Sequence, residues 1–227
     1  MDDEPLRMLQ GFRIFAPGTA GASIALAVLI AGAARAEAGC SDLARAASVS
    51  VEGEPARVVV REGAGSEGAP NLGGVVLGTT DGASRVEMRF TIRQIAVEGG
   101  RICTVIDRAA LTVGFDGPVR VDVSPRYRPG SCEHEATRSH EMRHVSLMEA
   151  AVREGASAAR AAVGSVVGGW SREGPVSREE ATADVDRLLR SAASRIKADV
   201  DRQIRERNLQ LDNPAEYRSV LDRCRNW

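Results

Sequence analysis

The chain has 227 residues, with 30 basic and 31 acidic side chains, so its formal net charge is close to zero. This balance excludes a protein that binds nucleic acid or an anionic membrane through a strong overall charge. Hydrophobic residues make up 43% of the chain but aromatic residues only 4%, which indicates a core built mainly from Ala, Val, Leu and Ile.

The N-terminal segment has the features of a secretion signal. An apolar run over residues 22–31 precedes Ala34-Arg35-Ala36, whose small-x-small form is typical of a cleavage site. The run is shorter than the roughly 20 residues that a membrane-spanning helix needs. The extreme N-terminus is acidic, so a start at Met8 fits a signal better than a start at Met1. We expect a signal peptide over 1–36 and an exported mature chain, periplasmic or secreted, with no stable membrane span.

The chain contains four cysteines, Cys40, Cys103, Cys132 and Cys224, all within the expected mature chain. An even number in an exported protein predicts two disulfides, for which three pairings exist. We favour Cys40–Cys103 and Cys132–Cys224, because the second pair would tie the tail to the start of a long predicted helix. Zinc ligation by these cysteines is disfavoured because no C-x-x-C spacing occurs.

The first half of the mature chain, about 45–125, is rich in strand signals. Alternating or β-branched runs predict strands at 57–61, 75–79, 86–92, 102–106, 111–115 and 119–123. Gly99-Gly100 and Asp116-Gly117 predict hairpins between neighbouring strands. We expect a small, mostly antiparallel sheet.

The second half, about 131–227, predicts helices. Apolar residues recur at helical spacing from about Glu133 to Val163, and Gly164 is a plausible stop. Ser177 followed by Glu180 forms a capping box, which predicts a second long helix to about Asn208. A short terminal helix should follow. The sequence therefore predicts a single α+β domain over 37–227, with two long helices after the sheet.

The first long helix carries His140-Glu141-Met142-Arg143-His144, an H-E-x-x-H motif that holds two of the three histidines in the chain. On a helix these histidines lie one turn apart on one face, where two imidazoles can bind one Zn²⁺ ion. Glu141 lies beside them and is placed to accept a proton from an attacking water molecule. The alternative is a solvated helix with charged i,i+4 pairs.

A catalytic zinc site needs a third protein ligand, which the motif does not supply. We favour Glu216, followed by Asp212, because a Cys132–Cys224 disulfide would hold this segment near the motif. The weaker candidates are His134, Glu149, Glu179, Glu180, Asp184, Asp199 and Asp201.

Two further features fit a site that hydrolyses peptides. Tyr127 and Tyr217 are candidates to stabilise an oxyanion, although an ordinary structural role is the commoner one for a tyrosine. The strand at 119–123 could serve as an edge that pairs with an extended substrate.

This combination resembles the H-E-x-x-H metallopeptidases, or zincins, and more narrowly a bacterial family of uncharacterised exported proteins described as predicted zinc-dependent proteases. The resemblance covers about the last 110 residues and depends on Cys132, His140-Glu141-x-x-His144-Val145 and the segment Leu211 to Tyr217. It implies a zincin-like fold with a bound zinc ion. Members of that family carry a histidine at the position of Tyr217.

The resulting hypothesis is an exported zinc metallopeptidase that acts on a peptide or protein substrate with Glu141 as general base. One alternative is a non-catalytic exported structural or binding protein that retains a zincin-like fold. Another is a zinc hydrolase acting on a non-peptide amide.

Overall fold

The computed structural model describes residues 39–62, 77–225 and Trp227. The predicted signal peptide lies outside the described residues, as does the start of the strand predicted at 75–79. The segment Glu37–Trp227 forms one compact unit.

The described chain has helices and strands in the proportions of an α+β protein, which confirms the predicted fold class. In chain order the elements are α1 (Cys40–Arg45), β1 (Ser48–Gly53), β2 (Val58–Glu62), β3 (Gly78–Asp81), β4 (Ser84–Ala96), β5 (Ile102–Phe115), β6 (Val119–Val123), α2 (Cys132–Gly169), β7 (Ser171–Glu173), α3 (Arg178–Leu211) and α4 (Pro214–Leu221).

The strands form two mixed sheets, so the prediction of a single sheet is wrong, although three of the five strand pairings are antiparallel. In the first sheet the long central β5 pairs in parallel with β1 and antiparallel with β4 and β7. In the second sheet β6 lies between a parallel β2 and an antiparallel β3. The two parallel pairings were not predicted, because a hydrophobic period of two is the same for either strand direction.

The two predicted hairpins had different outcomes. Gly99 and Gly100 both have positive φ, 78° and 73°, and connect β4 to its antiparallel partner β5 as predicted. Asp116-Gly117 does not form a hairpin, because β5 and β6 belong to different sheets. The strands predicted at 102–106 and 111–115 are one continuous strand.

The two long helices were predicted closely, except for one end. Ser177 caps α3 by accepting a hydrogen bond from the backbone N–H of Glu180. Helix α2 continues through Gly164 and ends at Gly169, so the predicted stop is wrong. A glycine inside a helix costs only about 1 kcal/mol relative to alanine, which tertiary packing readily outweighs. Among the described residues, no helix combines the length and the apolar character that crossing a bilayer requires.

The main core lies where α2 contacts both sheets and α3. Helices α2 and α3 run antiparallel, since Gly155 contacts Val200 whereas His144 contacts Asn208. The absence of a side chain at Gly155 allows this approach, because an added Cβ would lie only 2.3 Å from a methyl group of Val200. The close packing fixes the position of the C-terminal end of α3 beside the first half of α2.

Both favoured disulfides are confirmed. Cys40–Cys103 joins α1 to β5, and Cys132–Cys224 joins the first residue of α2 to the segment after α4. The second bond borders a small apolar cluster, separate from the main core, that comprises Leu77, Tyr127, Ala136, Val220 and Cys224. Helix α4 is therefore held against the start of α2 by a covalent bond and by apolar packing.

The glycine contact between the long helices gives a test of this packing. We expect Gly155→Ala to destabilise the protein by about 1–3 kcal/mol, because overpacking against Val200 outweighs the better helix propensity of alanine. The matched control is Gly164→Ala in the same helix, where nothing lies within 4 Å of the added Cβ. There we expect a gain of about 0.5–1 kcal/mol. Urea unfolding would measure both, and equal effects at the two sites would contradict the packing described.

Candidate metal centre

Helix α2 places the two histidines of the motif on its buried face. His140 and His144 are 1% and 5% exposed, and their rings meet edge to face with centroids 4.9 Å apart. Their Nε2 atoms lie 3.3 Å from each other. Helical spacing explains this arrangement, because residues i and i+4 lie one above the other on the helix surface.

The carboxylate of Asp212 completes a group of three donor atoms. Its Oδ1 lies 3.3 Å from Nε2 of His140 and 3.0 Å from Nε2 of His144. Asp212 is the C-cap residue of α3, so the antiparallel packing of the two long helices brings it to the motif. These three side chains form a group that could hold a metal ion.

The geometry of the three atoms fits a small divalent ion. Ligand atoms at about 2.0–2.1 Å around a tetrahedral Zn²⁺ ion lie about 3.3 Å from one another. The three observed separations, 3.0, 3.3 and 3.3 Å, approach this value. Two imidazoles and one carboxylate are a ligand set found for zinc and also for non-haem iron, so the donor types alone do not fix the metal.

Two of the three candidate ligands have a hydrogen-bond partner from the same part of the chain. Nδ1 of His144 lies 3.1 Å from Oδ1 of Asn208, and the Tyr217 hydroxyl donates to Oδ1 of Asp212 over 3.0 Å. A hydrogen bond at Nδ1 favours the tautomer whose Nε2 lone pair is free to bind a metal. Tyr217 is thus a partner of Asp212, and its ring also lies against His140.

Glu141 is buried beside the histidines, with only 4% of its surface exposed. Thr80 on β3 donates a hydrogen bond of 2.8 Å to Oε2 of Glu141. Gly78 on the same strand packs against this carboxylate, since an added Cβ would lie 2.9 Å from Cγ and Oε1 of Glu141. Strand β3 therefore fixes the orientation of the candidate general base.

The two carboxylates of the site have opposite pKa shifts. Burial is the largest influence on both, and it raises the pKa of Glu141 despite the Thr80 hydrogen bond. For Asp212, the hydrogen bonds from His140, His144 and Tyr217 outweigh burial and hold the pKa well below its usual range. Burial therefore favours the neutral form of Glu141, whereas Asp212 stays ionised, as a metal ligand must be.

The neighbours of Asp212 respond to its negative charge. Burial alone would lower the pKa of His144, but the hydrogen bond and the charge of Asp212 raise it. Burial and the charge of Asp212 both raise the pKa of Tyr217, so its hydroxyl stays protonated and remains a donor.

Glu216, the favoured third ligand, does not join the group of three. Its carboxylate forms an ion pair with Arg143, and its Oε1 lies 3.8 Å from Nδ1 of His140, on the side of the ring opposite the other donors. Asp212, the second choice, is the residue that the fold brings to both Nε2 atoms. The sequence could not separate the two, because the turn between α3 and α4 decides which carboxylate points toward the motif.

The weaker candidates for a third ligand have other partners. His134 lies near Glu62 and Glu135, and Glu149 accepts a hydrogen bond from the backbone of Ala56. Three of the five acidic candidates on α3 are paired along the helix or with its surroundings. Asp184 pairs with Arg172, Asp199 with Arg202, and Asp201 with Lys197 and Ser84, while Glu179 and Glu180 are exposed in the first turn.

Two expectations about the substrate side are corrected. Tyr127 packs edge to face against Trp227 in the small apolar cluster, so it is a structural residue rather than an oxyanion donor. Strand β6 pairs on both sides, with β2 and β3, and so is not the edge strand that was predicted. In the part of the chain that the structure describes, β3 pairs with β6 alone.

Thr80, Gly78 and Asn208 were not identified from the sequence. Asn208 lies one helical turn before Asp212, so a search for partners along the same face of α3 would have found it. Thr80 and Gly78 carry no such signal, because only the pairing of β3 with β6 brings them to Glu141.

Comparison with protein-family models, with curated proteins and with solved structures gave no match to this chain. We therefore infer its function from the geometry and chemistry of the site.

The charge on Asp212 makes the stability of the metal-free protein depend on pH. Because the folded-state pKa of His144 is raised, its contribution is fully present below the unfolded pKa of about 6.5 and is lost as the pH rises through the folded value. The contribution of Asp212 is lost only at strongly acidic pH, since its pKa is lowered. We expect Asp212→Asn to cost more stability near pH 6 than near pH 8. Urea unfolding in EDTA would measure this, and an equal cost would contradict it.

The two disulfides allow a matched test of what holds the site together. Removing either bond with paired serine substitutions should cost about 2–5 kcal/mol of stability. Only Cys132→Ser with Cys224→Ser should also weaken any binding of a divalent metal ion by the folded protein, because that bond ties α4 to the start of α2. Cys40→Ser with Cys103→Ser is the control. Chelator competition below the unfolding transition would measure both, and equal affinities would show that packing alone holds α4.

Proposed function

We propose that this protein is a zinc-dependent metallopeptidase. The observation that carries the proposal is the group of three donor atoms from His140, His144 and Asp212. The buried carboxylate of Glu141 lies on α2, the helix that carries both histidines. A metal site with a purely structural role has no use for a general base, so the placement of Glu141 favours hydrolysis.

The residues of the site have distinct tasks in this proposal. A bound zinc ion would polarise the substrate carbonyl and acidify the attacking water. Glu141 takes the proton from that water and delivers it to the amine nitrogen as the peptide C–N bond breaks. Its raised pKa suits this exchange, because a carboxyl that is too acidic would hold the proton too weakly to transfer it. Thr80 keeps the carboxylate oriented between the two steps.

Strand β3 is the best candidate to bind an extended peptide. It has a partner on one side only among the described residues, and its Thr80 contacts the general base directly. An added substrate strand would be held by backbone hydrogen bonds and would therefore run past Glu141. This role replaces the one that was predicted for β6.

We also propose that the protein acts outside the cytoplasm. Two disulfides with no free cysteine among the described residues are typical of an oxidising compartment. Ligation by histidine and carboxylate is compatible with such a compartment, because it needs no reduced thiol.

The first test is metal content together with hydrolysis. We expect the oxidised protein to bind one zinc ion per chain, and His144→Ala and Asp212→Asn to lose it. Glu141→Gln should keep the zinc but lose hydrolysis of a quenched fluorescent casein by roughly 10²–10⁴-fold, because only the proton transfer is removed.

Glu154→Gln is the matched control, since this glutamate is exposed on the same helix and pairs with Arg207. It should leave both zinc binding and hydrolysis unchanged. A protein that binds no zinc after reconstitution would contradict the proposal. Zinc binding with no hydrolysis of any peptide would favour a non-catalytic binding protein. Cleavage of a non-peptide amide, with no cleavage of peptides, would favour a zinc hydrolase that acts on such amides.

A further inference from the structure

One polar atom in the site has no partner. Nδ1 of His140 is completely buried and makes no hydrogen bond with any described residue. A histidine that binds a metal through Nε2 carries its proton on Nδ1, so this atom becomes a buried donor. A buried donor without a partner loses its hydrogen bonds to water and gains none in return.

Each of the other two candidate ligands has a hydrogen-bond partner outside the group. His144 is paired with Asn208, and Asp212 with Tyr217. Both partners come from the end of α3 and the start of α4, the same segment that supplies Asp212 itself. His140 is thus the one member of the group without an outer hydrogen bond.

A carboxylate oxygen of Glu216 lies close to this buried nitrogen. Its Oε1 lies 3.8 Å from Nδ1 of His140, about 1 Å beyond hydrogen-bonding distance. The Glu216 side chain is 16% exposed and is held by Arg143 on its solvent side. Glu216 lies in the first turn of α4. Its backbone N–H donates a hydrogen bond to the side chain of Asn213, which caps the helix. Closing this gap requires the Glu216 carboxylate to move by about 1 Å toward the imidazole.

We propose that Glu216 is a positioning residue that accepts a hydrogen bond from Nδ1–H of His140 when a metal occupies the site. Glu216 then acts through the imidazole and is not itself a ligand. The negative charge of Glu216 makes Nε2 a stronger electron-pair donor to the metal. The hydrogen bond also gives the buried Nδ1–H a partner. Arg143 balances the charge of Glu216 but does not contact the imidazole in this arrangement. The proposal rests on the metal site described under Proposed function.

The experiment measures zinc affinity of the full oxidised protein by competition with a chromophoric chelator. We expect Glu216→Leu, which has no acceptor atom, to weaken zinc binding by about 10–100-fold, the usual effect of losing an outer partner. Arg143→Met should keep the wild-type affinity, because the Glu216 carboxylate is still present to accept the hydrogen bond from His140. Glu206→Leu is the matched control, since it removes an exposed glutamate paired with Arg202 on α3. Unfolding of the metal-free variants checks that each is folded.

A second readout separates an outer partner from a ligand. The visible spectrum of the Co²⁺-substituted protein reports the number of ligands, so Glu216→Leu should leave its band intensities unchanged, whereas Asp212→Asn should change them. Equal zinc affinity of wild type and Glu216→Leu would overturn the proposal while leaving the metal site intact. An equal loss in Arg143→Met would also overturn it, because the ion pair would then be the cause. A Co²⁺ spectrum altered by Glu216→Leu would overturn the positioning role and make Glu216 a ligand. A wild-type protein that binds no zinc would overturn both proposals.

Discussion

The close contact of α2 and α3 at Gly155 and Val200 decides where the site forms. Every residue of an α-helix rises by the same 1.5 Å, so positions equally far from this contact lie at the same level on the two antiparallel helices. The motif lies about eleven residues from the contact on α2, and the end of α3 lies about eleven residues from it on the other helix. That spacing leads to His144 on α2 and to Leu211 and Asp212 at the end of α3. A side chain at position 155 would overlap Val200 at this separation of the helices. Helix packing, rather than the motif, therefore completes the set of donor atoms.

The site places two carboxyl groups in one buried region and shifts their pKa values in opposite directions. Glu141 meets a single hydroxyl donor and a strand packed against its side chain, so burial dominates and favours its neutral form. Asp212 meets two imidazoles and a phenol, all of which favour its charge. Separation of pKa values between neighbouring groups is how one site can hold both a permanent anion and a proton carrier. Without a metal, the hydrogen bond and the charge of Asp212 raise the pKa of His144 and so favour its protonated form.

Sequence reasoning succeeded where the signal is local. The motif on α2, the cap at Ser177 and the number of disulfides were predicted because each depends on spacing, residue type or the parity of the cysteines. It failed where the outcome depends on contacts between distant segments. The parallel pairing of β2, the position of β6 in its sheet and the choice of Asp212 over Glu216 all follow from packing that no single segment encodes.

The segment from Asn208 to Tyr217 supplies much of the site from a short stretch of chain, which explains why the third ligand was difficult to predict. It supplies a donor atom, a partner for His144 and a partner for Asp212 within ten residues. Such density requires a sharp turn between two helices, which the cap at Asn213 and the proline at the start of α4 provide. The turn has few apolar residues to anchor it, so the Cys132–Cys224 bond and the small apolar cluster supply that anchor from the far side of α4. Thus the residues that hold the tail against α2 also hold the carboxylate against the two histidines.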